Sequence, residues 1–207
     1  MNNTLITLPS VRRYIKQAAA CGIDCSVLLR AARINESQLS DNSTRIPTSA
    51  LSEFLASAIP QSNDPYFGLH TAKYIQADSF DILGFIALNC ANLGESLEQV
   101  ILYEKITGEF GNTELITFDD NILVCWQAYD TNPLVRRHTT EAVLASWMSY
   151  TIKIIQVEDI PLQIWFEHEL PKGGDILHYQ EIFNCEVLFN QPASGILINK
   201  AQLDMPF

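Results

Sequence analysis

The stretch FDILGFIALNCANLGESLEQVILYEKITGE, Phe80 to Glu109, decides how the rest of the chain is read. Its first half sets Phe80, Leu83, Gly84, Ala87, Leu88 and Ala91 on one helical face. Gly84, Ala87 and Ala91 are small, so this helix can approach a neighbour closely. Asn92 breaks the run, and Glu95 stands three residues later in a capping-box arrangement with Asn in the capping position. A second helix follows, carrying Leu93, Leu97, Val100, Ile101 and Ile106 among Glu95, Glu98, Glu104 and Lys105. Periodicity alone reads the pair as packing elements.

Outward from there, the first 60 residues read as short helices. Pro9-Ser10 opens one with Val11, Tyr14, Ile15, Ala18 and Ala19 on a face and Gly22 as its stop. Asp24 can cap the next, which holds Val27, Leu28 and Leu29, and Pro47 opens another with Leu51, Phe54, Leu55 and Ile59. Residues 60–66 are a loop by composition. After Gly108 the period changes from about four to two. Strands are expected at Glu114–Phe118 and Ile122–Tyr129 around the Asp119-Asp120-Asn121 turn. In the second strand Ile122, Val124, Trp126 and Ala128 share one face, and Leu123, Cys125, Gln127 and Tyr129 the other. Asn132-Pro133 begins a long helix that is nearly free of charge from Ala142 to Val157, the pattern of a buried or subunit-shared helix. Alternation returns over Leu162–His168, a helix follows over Asp175–Asn184, and short strands over Glu186–Phe189 and Ile196–Asn199. The expected fold class is α+β: an N-terminal helical part (1–60), then a small, mainly antiparallel sheet covered by helices (61–207), together one domain.

The chain has 207 residues, 47% of them hydrophobic, which suits a globular domain. No signal peptide or membrane-spanning run is apparent, and the five scattered cysteines read as reduced thiols, which fits a cytoplasmic protein. Cys21 and Cys25 have no matching His pair, so no metal is expected there. The net charge of −11 is uneven: residues 1–45 carry six basic and three acidic groups, while the remainder carries seven basic and twenty-one acidic. Such a body repels phosphate backbones, and only the first segment could be drawn to nucleic acid. Its candidate reading helix presents Arg30, Arg33 and Asn35 among apolar side chains, too few polar groups for base readout.

Four blocks of residues resemble one family. They are Gly22-Ile23-Asp24 with Leu28-Leu29 and Arg45-Ile46-Pro47; Asp64-Pro65-Tyr66-Phe67-Gly68-Leu69; Leu83-Gly84, Leu93–Ser96 and Leu102-Tyr103; and a closing set. The closing set is His168, Pro171, Tyr179, Phe183, Cys185-Glu186-Val187-Leu188-Phe189 and Leu203-Asp204-Met205-Pro206. Together they resemble the N-terminal arabinose-binding-like sensor domain of AraC/XylS-type bacterial transcription regulators, in the subgroup of ornithine and virulence regulators. Ser194-Gly195 departs from the pattern, standing where the family commonly has Asn. The resemblance implies a ligand-sensing and dimerising domain whose small-molecule effector alters how an attached DNA-binding domain engages a promoter. It also implies a homodimer, and contact with DNA only through a C-terminal helix-turn-helix domain that is not in this chain.

No cofactor is expected, and an enzyme is not the favoured reading. There is no G-x-S-x-G elbow, P-loop or paired-histidine motif among His70, His138, His168 and His178. His168 alternates onto an apolar face and reads as a hydrogen-bonded core histidine before a catalyst. Arg136-Arg137-His138 is a compact basic cluster that could hold an anion or be a solvated helix start. A sensor needs apolar walls with a few polar groups. Tyr103, Trp126, Trp147, Tyr150 and His168 are the residues on core-directed elements selected as ligand-binding candidates. Two rivals stand beside this reading: a dimerisation module with no small-molecule ligand, and a small cytoplasmic enzyme.

Overall fold

The computed structural model describes residues 4–76, 78–152 and 161–206. The chain opens with a feature that periodicity does not reveal. Strand β1 (Leu5–Thr7) pairs antiparallel with β2 (Arg45–Pro47), Ile6 facing Ile46, and closes the N-terminal helices into a loop. Three residues are too few for a period to register. Between the two strands lie α1 (Leu8–Ala20) and α2 (Cys25–Ala31). Gly22 ends α1 at φ +79°, where a Cβ would be strained, and Asp24 caps α2 by accepting the Ser26 N–H at 3.0 Å. α1 buries Val11, Tyr14 and Ala18 as its spacing requires, but it is turned so that Arg13 and Gln17 are buried and Ala19 is exposed. Helix α3 (Thr48–Ser62) buries Leu51, Phe54, Leu55 and Ile59. The short α4 (Phe67–His70) follows.

Helices α5 (Asp81–Leu88) and α6 (Leu93–Thr107) form an antiparallel hairpin around Asn92. The Asn92 side chain accepts the Glu95 N–H at 2.9 Å, and the Glu95 carboxylate accepts the N–H of Ala91, one residue upstream of the usual capping-box partner. A five-stranded sheet follows in the order β3-β4-β7-β5-β6, with β3 at Gly111–Phe118, β4 at Asn121–Ala128, β5 at Gln163–Trp165, β6 at Glu186–Leu188 and β7 at Gly195–Asn199. All its pairs are antiparallel except β5–β6, which are joined through α8 (Ile176–Phe183). β5 is shorter than the alternation over Leu162–His168 suggests. Its pairing with β7 ends at Trp165 opposite Gly195, where the partner strand begins.

Helix α7 (Pro133–Tyr150), capped by Asn132, crosses the core face of the sheet and packs on α3, α4 and β4. Its expected apolar continuation to Val157 runs into residues 153–160, which lie outside the described residues. The two faces of β4 part as alternation demands. Ile122, Val124 and Trp126 join the main core under α7, whereas Leu123 and Cys125 form a small second cluster with Leu197 on the far face. The main core runs from Ile6 through α1, α3 and α7 to Ile198, so the helical part and the sheet share one apolar interior. The architecture is α+β, with helices preceding and covering a mainly antiparallel sheet. No helix among the described residues is long and apolar enough to cross a membrane.

Candidate functional site

The α5–α6 hairpin does not seal against the sheet. Between it, α7 and strands β4 and β7 lies a cavity of about 120 Å³. Its size follows from sequence: α5 turns Gly84 and Ala87 inward, and α6 contributes Ser96, so positions that would hold large core side chains hold small ones. The remaining walls are apolar, chiefly Phe80, Leu83, Val100, Trp147, Met148 and Ile196. Among the described residues no charged side chain lines it. Its polar groups are the hydroxyls of Ser96, Thr151 and Tyr150, and the last donates to the Gly84 carbonyl at 2.7 Å. That bond ties the end of α7 to the glycine of α5, and burial pushes the Tyr150 phenol above its ordinary value. Apolar walls with a few hydroxyl groups suit a small, largely hydrocarbon ligand.

Of the five residues selected from sequence, Trp147 and Tyr150 line this cavity. Trp126 lines an adjoining one of about 90 Å³, which Trp147 also borders. Tyr103 is 38% exposed on α6 and lines neither. His168 lies elsewhere, in a buried charge cluster. The five therefore do not converge. Leu83, Val100, Met148 and Ile196 complete the walls and were not selected, because an apolar residue facing a cavity has the same spacing as one facing a neighbour. The small residues at helical spacing in α5 were the one legible signal.

The second constellation centres on Glu141, which is completely buried in α7. Tyr179 of α8 donates its hydroxyl to Oε1 at 2.7 Å. Arg137 Nε stands 3.8 Å and His168 Nε2 3.5 Å from the same oxygen, and His138 Nδ1 is 3.4 Å from Oε2. His138 Nδ1 also accepts the Gly68 N–H at 3.1 Å, which ties α4 to α7. Burial pushes the Glu141 carboxyl up, yet His138, Arg137 and His168 outweigh it and hold the acid below its ordinary value. Burial pulls His168 down against the attraction of Glu141, and burial together with the Glu141 charge raises Tyr179. His168 Nδ1 donates to the Glu169 carbonyl at 2.9 Å. The basic cluster that could have been a solvated helix start is mostly internal: Arg136 is exposed, while Arg137 and His138 serve Glu141. The cluster joins α4, α7, α8 and the end of β5. Among the described residues no group of three His, Cys, Asp or Glu converges to hold a metal ion.

This arrangement, a cavity under a helical hairpin on an α+β core, was compared with known proteins. The family model described as the arabinose-binding domain of AraC transcription regulators, N-terminal, matches residues 22–207. The chain belongs to that family. This AraC-type domain is 21% identical over 204 residues to the ornithine utilization regulator of Pseudomonas aeruginosa, covering 98% of the chain and 59% of that protein. Its fold is similar to that of the transcriptional regulator CdpR from Pseudomonas aeruginosa, with a TM-score of 0.62 and 15% identity over 88% of this chain and 55% of that one. The AraC-type domain thus spans less than two-thirds of the length of either relative. Both relatives are described as regulators, CdpR as a transcriptional one.

Proposed function

We propose that this domain is the effector-sensing part of a cytoplasmic transcription regulator, acting as one unit. It binds a small, largely apolar molecule in the cavity between the α5–α6 hairpin, α7 and the sheet, and DNA is contacted by a separate domain. The cavity carries this reading: it is lined by small and apolar residues and roofed by the helices α5 and α6. Ligand binding there shifts regulation only if it favours one position of the hairpin over another. Its walls come from three layers of the fold, so an occupied and an empty cavity differ in how α5 and α6 sit on α7.

Ala87→Phe tests this reading by filling the space from α5. Titration with 1-octanol, followed by tryptophan fluorescence, is expected to lose at least about tenfold in affinity, the equivalent of about 1.4 kcal/mol. The melting temperature is expected to stay within a few degrees. Undiminished binding would place the ligand elsewhere.

Dimerisation is proposed through the outer face of the same hairpin. Phe85 is 50% and Leu102 66% exposed there, with Ile82, Tyr103 and Ile106 beside them. An apolar face of this kind on a soluble domain marks a partner surface. Sedimentation equilibrium of Leu102→Asp is expected to show monomer at concentrations where the unaltered chain is dimeric. Unchanged association would move the interface off this face.

A further inference from the structure

Arg13 is a residue that the fold leaves incomplete. The rotation of α1 that exposes Ala19 carries Arg13 inward until it is 8% exposed. Its guanidinium lies over the Tyr14 ring at 5.0 Å, and Nη2 makes one long bond to the Tyr14 hydroxyl at 3.4 Å. Nε has no hydrogen-bond partner. Among the described residues no carboxylate pairs with Arg13. Two acids border the same spaces as Arg13: Glu104, which accepts the Thr113 N–H at 2.9 Å and its hydroxyl at 2.5 Å, and Asp78 in a smaller polar pocket, and neither is paired with the guanidinium. A buried guanidinium without a direct ion-pair partner is unfavourable, and it becomes favourable when an anion is brought into contact with it.

The position of Arg13 says which anion. It lines the 90 Å³ cavity together with Tyr14, Glu104 and Trp126. That cavity and the apolar one share Phe80, Leu83, Val100 and Trp147 as walls, so the two spaces are neighbours. We infer that the effector is an amphipathic organic anion, its apolar body in the cavity under the hairpin and a single carboxylate-like head at Arg13. This rests on the cavity reading above and adds the chemical class of the ligand. A polyol would leave most of its hydroxyls unmet along walls that, among the described residues, offer three hydroxyl groups and no charge. A primary amine would bring like charge to Arg13. The guanidinium also explains why a single head group is enough: its fork takes a carboxylate through two parallel bonds.

The test is a calorimetric titration of the purified domain with octanoate, 1-octanol and octylamine, which share one tail and differ in head group. The unaltered chain is expected to bind octanoate at least tenfold more tightly than 1-octanol, and octylamine most weakly. Arg13→Met is expected to abolish the preference for octanoate and leave 1-octanol within twofold. Arg13→Lys, which keeps the charge and loses the fork, is expected to retain part of it. Equal affinity for octanoate and 1-octanol in the unaltered chain would overturn the inference and leave the cavity reading standing. A preference that survives Arg13→Met would overturn it in the same way. Failure of all three to bind would overturn both. Should Arg13→Met not fold, the head-group series on the unaltered chain and Arg13→Lys decides alone.

Discussion

Glu141→Ala is expected to lower the unfolding free energy by about 3–5 kcal/mol, because it removes the acceptor around which a buried cluster is built. The Tyr179 hydroxyl loses its 2.7 Å partner, and the Arg137 guanidinium loses the buried carboxylate beside it. For a chain of this size the melting temperature would fall by about 6–20 °C. Glu141→Gln keeps an acceptor for Tyr179 and loses the charge, so about half of that effect is expected. The same cluster sets a pH dependence. Glu141 titrates below its ordinary value of 4.5 in the folded protein, so its contribution is present above that value and is lost as pH falls through the lower folded one. His168 is also depressed, below 6.5, so between its folded and unfolded values the unfolded chain binds more protons. Stability is therefore expected to decline on acidification, first below about pH 6.5 and again below about 4.5, when measured by urea unfolding across pH. Glu141→Ala should shrink the second decline, leaving the part due to Asp64, which is also held below its ordinary value. A loss under about 1 kcal/mol for the alanine variant would mean that the cluster does not hold the helices together.

Gly68→Ala is the second large effect, and two opposing terms decide its sign. Alanine favours a helix over glycine by about 1 kcal/mol. Against this, a Cβ at Gly68 would sit 2.1 Å from the His138 carbonyl oxygen and 2.8 Å from its carbon. Those are backbone atoms of α7 and cannot rotate aside, so α4 must move. Overpacking of this kind costs about 1–3 kcal/mol or more, and the Gly68 N–H bond to His138 is strained along with it. A net loss of about 2–3 kcal/mol is expected by urea denaturation, with the transition slope unchanged. An increase in stability would show that α4 and α7 are not in close contact at this point.

How much of this was legible in the sequence depended on whether a feature has a period or a cap. Asn92, Asp24 and Asn132 cap their helices as their spacing predicts, and the two faces of β4 separate into two clusters. The resemblance blocks proved informative for a spatial reason. Gly68, His168 and Tyr179 lie far apart in the chain and meet around His138 and Glu141. Glu141 itself was not picked out, because one acid at the edge of an apolar helix has no pattern that marks it as buried. The β1–β2 pair and the rotation of α1 were missed since both are set by tertiary contact. The cavity was half legible. Gly84 and Ala87 announced a close approach where the structure has a cavity, and Trp147 and Tyr150 were selected while Tyr103, on the solvent side of α6, was selected with them.

The central claim is that the space beneath the α5–α6 hairpin receives the effector, and the methionines allow it to be watched directly. The chain has three, and of these Met148 lines the cavity while Met205 lies outside it in the C-terminal segment. Methyl-labelled methionine NMR during a titration with 1-octanol is the measurement to make. A saturable shift of the Met148 methyl, with Met205 unmoved, is the predicted result. A Met148 methyl that stays in place while 1-octanol binds would contradict it.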